Sequence, residues 1–137
     1  MSRVRIAIVD GPVRRGALGE PCEDADGRDG VGSRIRFEGI VRGLENGERL
    51  VAIDYEIYEP MASRMLEAIA EDEAQRDGVR SIAVLHSRGR VGVGQVSFAC
   101  EVRSAHRAEG LAALGSFIDR MKQDVPIWKR LVFSDLR

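Results

Sequence analysis

Cysteine is scarce in this chain of 137 residues. The two cysteines, Cys22 and Cys100, lie far apart and form no CxxC pattern, which excludes a disulfide framework and a cysteine-rich zinc site. Cys100 alternates with apolar residues of a predicted strand and is interpreted as a small core residue. The two histidines, His86 and His106, have no metal-ligand spacing. We therefore expect no metal and no cofactor.

Long hydrophobic runs and a net charge are also lacking. No apolar stretch approaches the length that crosses a bilayer, and residues 1–10 alternate basic with apolar side chains rather than forming a secretory signal. The 21 basic residues balance 22 acidic ones, so no global field favours nucleic acid or anionic membrane. The composition predicts one globular domain over residues 1–137, located in the cytoplasm.

Lysine is much rarer than arginine, since the chain has 19 arginines but only two lysines, Lys122 and Lys129. Codon bias and chance are one interpretation. The other is chemical: arginine does not lose its proton in a protein, whereas a partly buried lysine can act as acid, base or nucleophile. The lysines are then kept where an amine is required.

Hydrophobic periodicity predicts an α+β, or mixed α/β, domain. A strand at residues 4–8 precedes a predicted mobile loop over residues 10–32. The next strand has Ile35, Phe37 and Val41 on one side. A hairpin turn at residues 45–48 leads into a third strand, which has four residues on one face: Val51, Ile53, Tyr55 and Ile57. A helix follows Pro60 and ends near Gly78. Strands at residues 79–86 and 96–102 flank a glycine-rich turn over residues 88–94.

The last predicted helix spans residues 105–123, with Ser104 as its cap. Its buried stripe is predicted to contain four residues: Leu111, Leu114, Ile118 and Met121. Lys122 lies within about 20° of Leu111 on the helical wheel, at the edge of this stripe. Pro126 forces the following residues into an extended segment, where Trp128 is interpreted as a core anchor rather than the wall of a ring-binding site.

Basic residues cluster at three places: Arg42 at a strand end, His106 with Arg107 at a helix start, and Lys122 with Lys129 near the end of that helix. A helix N-terminus presents unpaired amides and a positive dipole end, so together these groups could hold an anion. Solvated surface charge is the alternative.

Four blocks of sequence resemble, in order, the motifs of the molybdopterin synthase large-subunit family. They are FEGIVR at residues 37–42, YEIYEPMA at 55–62, SAHR at 104–107, and IDRMK at 118–122 followed by PIWK at 126–129. The last block is the most specific, and the resemblance covers residues 32–130.

The resemblance implies an α/β hammerhead domain with an added β subdomain. It also implies a homodimer within a heterotetramer, with a small ubiquitin-like subunit at each end. That partner's C-terminal thiocarboxylate would donate sulfur to cyclic pyranopterin monophosphate, forming the dithiolene. By the same resemblance, the catalytic residues are Lys122 and Lys129, and the substrate-binding residues are Arg42, His106, Arg107, Phe37 and Ile118.

The chain departs from the family pattern at Leu131, where a glutamate is usual, at Ser87, where an arginine is usual, and in its shorter tail. The shorter tail motivates an alternative, a non-catalytic paralogue that acts as an anion- or partner-binding dimeric module. A scaffold that only dimerises is a further alternative.

The two basic ends of the predicted helix over residues 105–123 are about 22 Å apart, so one small ligand cannot contact both ends of the same helix. Either the ends serve different purposes, or a two-fold dimer joins the start of one helix to the end of its partner. Ala108, Ala112 and Ala113 are predicted to allow that close approach.

Overall fold

Seven strands and three helices form the part of the chain that this computed structural model describes, residues 3–20 and 23–135. Cys22 lies outside the described residues. The elements, in chain order, are β1 (Val4–Asp10), α1 (Glu23–Arg28), β2 (Ser33–Ile40), β3 (Leu44–Glu45), β4 (Glu48–Ile57), α2 (Met61–Glu73), β5 (Val79–Gly92), β6 (Val96–Ser104), α3 (Arg107–Asp124) and β7 (Ile127–Phe133).

The strands form one mixed sheet that forks along β5. Residues 82–88 of β5 are parallel to β1, and residues 79–86 are antiparallel to β6 on the other side. From Gly89 onward β5 pairs instead with β4, which also pairs with β7 and β3. β2 pairs with the outer side of β6. The structure therefore has a main sheet and a smaller β4–β5–β7 sheet, and the predicted α+β class is confirmed.

The main core lies between the first sheet and helices α2 and α3. Leu66, Val84, Val102 and Phe117 are completely buried there. Burying such side chains contributes roughly 1.5–3 kcal/mol each, which offsets the entropy lost when the elements dock. A second cluster, of Val41, Ile53, Tyr55 and Val91, fills the space beneath the smaller sheet. Leu131, which departs from the family pattern, packs against this second cluster.

The glycine-rich segment after His86 is not the predicted turn. β5 continues to Gly92, and the turn follows at residues 93–95. Gly89 has φ of +88°, a conformation that glycine adopts readily, and this lets β5 bend while its backbone stays paired with β4. The fork of the sheet depends on this bend.

Because of a register shift in β4, the side chains of that strand do not all lie on the face that the sequence predicted. The pairing of β4 with β7 is irregular between Leu50 and Ala52, so Val51 is 48% exposed while both neighbours are buried. An extra residue in one strand moves side chains to the opposite face. Ile53 and Tyr55 are buried as predicted, and Val51 is not. The hairpin turn at Asn46 and Gly47 is confirmed.

The buried face of α3 is also shifted relative to the prediction. Leu111 is 54% exposed, and the residues in the core are Gly110, Ala113, Leu114, Phe117 and Met121. Gly110 allows a close approach, because a Cβ there would lie 2.6 Å from the hydroxyl of Ser104. That hydroxyl donates to the carbonyl of His106, so Ser104 does not cap the helix, and His106 occupies the N-cap position.

The segment 10–32, predicted to be a mobile loop, contains α1 and several fixed contacts. The Val13 amide donates to the Val96 carbonyl, and Asp26 pairs with Arg34 at 2.9 Å and with Arg103 at 3.6 Å. Its mobility stays a prediction. Within the described ranges, none of the helices has the length and apolar character that crossing a bilayer would require.

Candidate active site

A cavity of about 570 Å³ opens at the fork of the sheet, where β5 leaves β6 for β4. The end of α3, the start of β7 and the loop after β2 close its sides. It is lined by Phe37, Gly39, Ile40, Val41, Arg42, Glu45, Leu50, Ile53, Tyr55, His86, Ser97, Phe98, Ile118, Met121, Lys122, Val125, Ile127 and Lys129. Five of the seven residues predicted to form the site are among these.

Three cations come to this cavity from separate elements. Arg42 follows β2, Lys122 is in the last turn of α3, and Lys129 lies on β7 opposite Tyr55. Pro126 ends the helical path between the two lysines, as predicted, so that Lys129 is carried by a strand. Within the described residues neither lysine makes a salt bridge, and both amines are available to a ligand.

The environment of Lys129 weakens its hold on a proton. Lys129 is an exposed residue that also lines the cavity, where the surrounding protein partly desolvates its amine. This desolvation is the main reason why the pKa of Lys129 lies below its ordinary value. The positive charges of Lys122 and Arg42 lower the pKa further, and the negative charge of Glu45 raises it. Glu45 also pairs with Arg42 at 3.5 Å, where the Arg42 side chain is largely exposed and the Glu45 side chain is half-buried. Sequence patterning gave no sign of Glu45.

An apolar wall faces the cations. Phe37 is 38% exposed at the cavity, and its ring centroid lies 6.0 Å from that of Phe98. Ile118, half-buried on α3, lines the same space. Aromatic and aliphatic surface of this kind can hold a flat ring. The structure thus places both residues with the cations, and their contact with a substrate stays a prediction.

The floor of the cavity has a polar group that the sequence analysis missed. The Tyr55 hydroxyl donates to the Ser97 hydroxyl at 3.0 Å, which bridges β4 and β6 across the fork. The ring of His86 meets that of Tyr55 edge to face, at 5.3 Å between centroids. Strand alternation could have placed each residue inward, but not the three together, because their contacts join different strands.

His106 and Arg107 do not reach this cavity. They lie at the start of α3, exposed to solvent, about 22 Å from Lys122 at 1.5 Å per residue. His106 faces Glu109 at 3.7 Å. Of the three alanines predicted to favour close approach of a second copy, Ala108 and Ala112 are exposed but Ala113 is buried.

Trp128 is not the predicted core anchor. It is 62% exposed, because alternation along β7 puts it on the face opposite Lys129. Cys100 is completely buried, as predicted, and burial raises the pKa of its thiol to about 12, so it carries no reactive thiolate at neutral pH. Among the described residues no group of three or more histidine, cysteine or acidic side chains is arranged to hold a metal ion.

Comparison with protein families gives a match to the model described as MoaE protein, over residues 16–124. The molybdopterin synthase catalytic subunit of Arabidopsis thaliana is 38% identical over 77% of this chain and 53% of its own length. The Bacillus subtilis protein of that name is 41% identical over 77% of this chain and 67% of its own. The chain thus spans about half the length of the plant relative.

Solved structures are similar over nearly the whole chain. Molybdopterin synthase from Staphylococcus aureus superposes with a TM-score of 0.78 at 26% identity, covering 98% of this chain and 94% of that one. A complex of subunits 1 and 2 of molybdopterin-converting factor from Helicobacter pylori gives a TM-score of 0.75 at 25% identity, covering 99% and 92%.

Proposed function

Because the chain belongs to the MoaE protein family, we propose that it is a molybdopterin synthase catalytic subunit. It transfers sulfur from the thiocarboxylated C-terminus of a small ubiquitin-like partner to cyclic pyranopterin monophosphate, and two transfers make the dithiolene. One observation carries the proposal: the chain's only two lysines meet Arg42 at one cavity.

The cavity suits this substrate in size and chemistry. A volume of about 570 Å³ falls within the range of roughly 300–1,000 Å³ typical of small-molecule sites. The cations favour a phosphate and a thiocarboxylate, and the wall of Phe37 and Ile118 favours a flat ring. Arg42 binds the substrate phosphate, since a guanidinium forms paired hydrogen bonds with phosphate oxygens.

The lysines perform the transfer. Lys122 is the general acid or base, or a transient acyl acceptor, and Lys129 neutralises the thiocarboxylate and the developing oxyanions. The partial desolvation of Lys129 supports this assignment, because a charge attracts an anion more strongly where water is partly excluded. Sulfur arrives on the partner, which agrees with an inert Cys100.

His106 and Arg107 complete the substrate site from a second copy of the chain. The length of α3 keeps them from the cavity of their own chain, whereas a two-fold dimer can bring the start of one helix to the end of the other. The exposed positions Ala108 and Ala112 have small side chains that allow such an approach. With a small subunit on each copy, the assembly is a heterotetramer. The two-subunit complex described for the Helicobacter pylori neighbour supports that partner.

Reconstitution tests this function directly. The protein is incubated with cyclic pyranopterin monophosphate and a small subunit carrying the C-terminal thiocarboxylate, and the dithiolene product is measured. A small subunit with an ordinary carboxylate is the control, because it can bind but has no sulfur to give. We expect product only with the thiocarboxylate. Binding of pterin or partner without product would indicate a non-catalytic module, and dimerisation alone would indicate a scaffold.

A further inference from the structure

His86 is a buried polar residue on the floor of the cavity with no role in the proposed transfer. It lies on β5 between Ile8 of β1 and Phe98 of β6, and is only 5% exposed. Its ring contacts Tyr55 edge to face and lies 5.9 Å, between centroids, from Phe98. These contacts fix the plane of the imidazole.

The hydrogen bond of His86 fixes its tautomer. Nδ1 lies 2.8 Å from the carbonyl oxygen of Ser87. A carbonyl can only accept, so Nδ1 carries the proton and donates. Burial, together with the nearby positive charge of Lys129, lowers the pKa of His86 below its ordinary value, and the ring is neutral. Nε2 is left with a lone pair.

This lone pair is available to a ligand. Within the described residues, Nε2 has no hydrogen-bond partner. In that part of the chain, the completely buried side-chain atoms without a hydrogen-bond partner are Ser87 Oγ and Arg103 Nε, of which Arg103 Nε still forms ion pairs with Glu101 and Asp26. Nε2 is not among them, so it keeps an accessible surface, and His86 lines the cavity.

We propose that His86 is a substrate-binding residue whose Nε2 accepts a hydrogen bond from a ring N–H of the pterin. The inference rests on the proposed function and assigns the part of the site that recognises the heterocycle. Arg42, Lys122 and Lys129 supply donors and positive charge, which suit phosphate and thiocarboxylate. A reduced pterin also carries N–H donors, which need acceptors inside the cavity. Glu45, 3.5 Å from Arg42, is a charged acceptor among the cations, whereas His86 is a neutral acceptor on the floor of the cavity.

Two substitutions separate this role from a structural one. In His86→Asn the amide replaces Nδ1 and can still donate to the Ser87 carbonyl, but nothing replaces Nε2. In His86→Gln the amide reaches the position of Nε2 and the Nδ1 donor is lost. Affinity for cyclic pyranopterin monophosphate and for inorganic phosphate is measured for both variants and the unchanged protein, with thermal melting as the check on folding.

We expect His86→Asn to bind the pterin about fivefold to a hundredfold more weakly, because a substrate donor then lies in the cavity without a partner. Phosphate affinity should stay unchanged, and His86→Gln should recover most of the pterin affinity. A folded His86→Asn protein with pterin affinity within about twofold of the original would overturn the assignment.

Nitrogen-15 NMR of the unchanged protein gives a second test that does not depend on a variant. We expect His86 with its proton on Nδ1, and a shift of the unprotonated Nε2 signal when the pterin binds. A proton on Nε2, or an Nε2 signal that the pterin leaves unmoved, would contradict the inference. If the unchanged protein binds phosphate but no pterin, the proposed function fails, and the role of His86 fails with it. If the unchanged protein turns over the pterin and His86→Asn binds the pterin equally well, only the role of His86 is contradicted.

Discussion

Subunit complementation between the two ends of α3 tests whether one active site is built from two chains. The perturbations are Arg107→Ala at the start of the helix and Lys122→Ala at its end, each expected to abolish turnover alone. A sphere of the cavity's volume has a diameter of about 10 Å, less than half the separation of about 22 Å between these positions. A ligand seated in the cavity therefore cannot touch both residues of one chain.

The expected recovery follows from counting sites in a two-fold dimer. When the two variants are mixed in equal amounts and exchange freely, about half of the dimers contain one chain of each kind. In such a dimer one composite site has both defects and the other has neither. About a quarter of the unmodified activity should therefore return.

Activity is measured as dithiolene formation with thiocarboxylated small subunit, and exchange is verified by mass spectrometry of differently tagged chains. Lys122→Ala mixed with Lys129→Ala is the matched control, because both lysines lie at the same end of α3 and no mixed dimer regains a complete site. Verified exchange without recovery in the first mixture would refute the composite site. Recovery in both mixtures would equally contradict the geometry.

Three further predictions concern the cations of the cavity. Lys122→Arg should reduce dithiolene formation by at least about a hundredfold with an unchanged melting temperature, because the charge is kept but proton transfer and acylation are lost; near-normal product would remove the assigned role. Arg42→Ala should weaken pterin binding by about tenfold or more while leaving small-subunit affinity within about twofold. Arg64→Ala, at an exposed position, is the control. Titrations in which Arg42→Ala weakens small-subunit binding more than pterin binding would place Arg42 at the protein interface instead. Activity should fall as the pH rises through the lowered pKa of Lys129, since the charged amine is required. Glu45→Gln removes a charge that raises this pKa and should move the fall to lower pH, whereas Glu48→Gln, outside the cavity, should leave the pH profile unmoved.

Local patterning predicted the elements and missed details set by packing. Alternation and helical spacing located the main strands and helices, because these periods follow from backbone geometry alone. The face of β4 was wrong at Val51, where a register shift intervenes, and the face of α3 was wrong at Leu111. In both cases the buried side is chosen by the partner element, and no single-strand or single-helix pattern contains that information. Trp128 was misassigned for the same reason.

The sequence by itself predicted the three cationic residues that line the cavity, Arg42, Lys122 and Lys129, and the family that the chain resembles. Lys122, Pro126 and Lys129 lie within eight positions, and the arrangement they predict, a helix end followed by a strand, depends on the local effect of proline. The effect of such a short, uncommon motif on the backbone is local, so it can be predicted from the sequence without knowledge of the fold.

Only the tertiary structure decided what surrounds those cations. The cavity exists because β5 bends at Gly89 and exchanges β6 for β4, and its floor exists because Tyr55 and Ser97 meet across that fork. The tertiary structure also places His106 and Arg107 far from the cavity of their own chain. These relations join residues that are distant in sequence, and their geometry is fixed by burial and hydrogen bonding between elements, which no local pattern records.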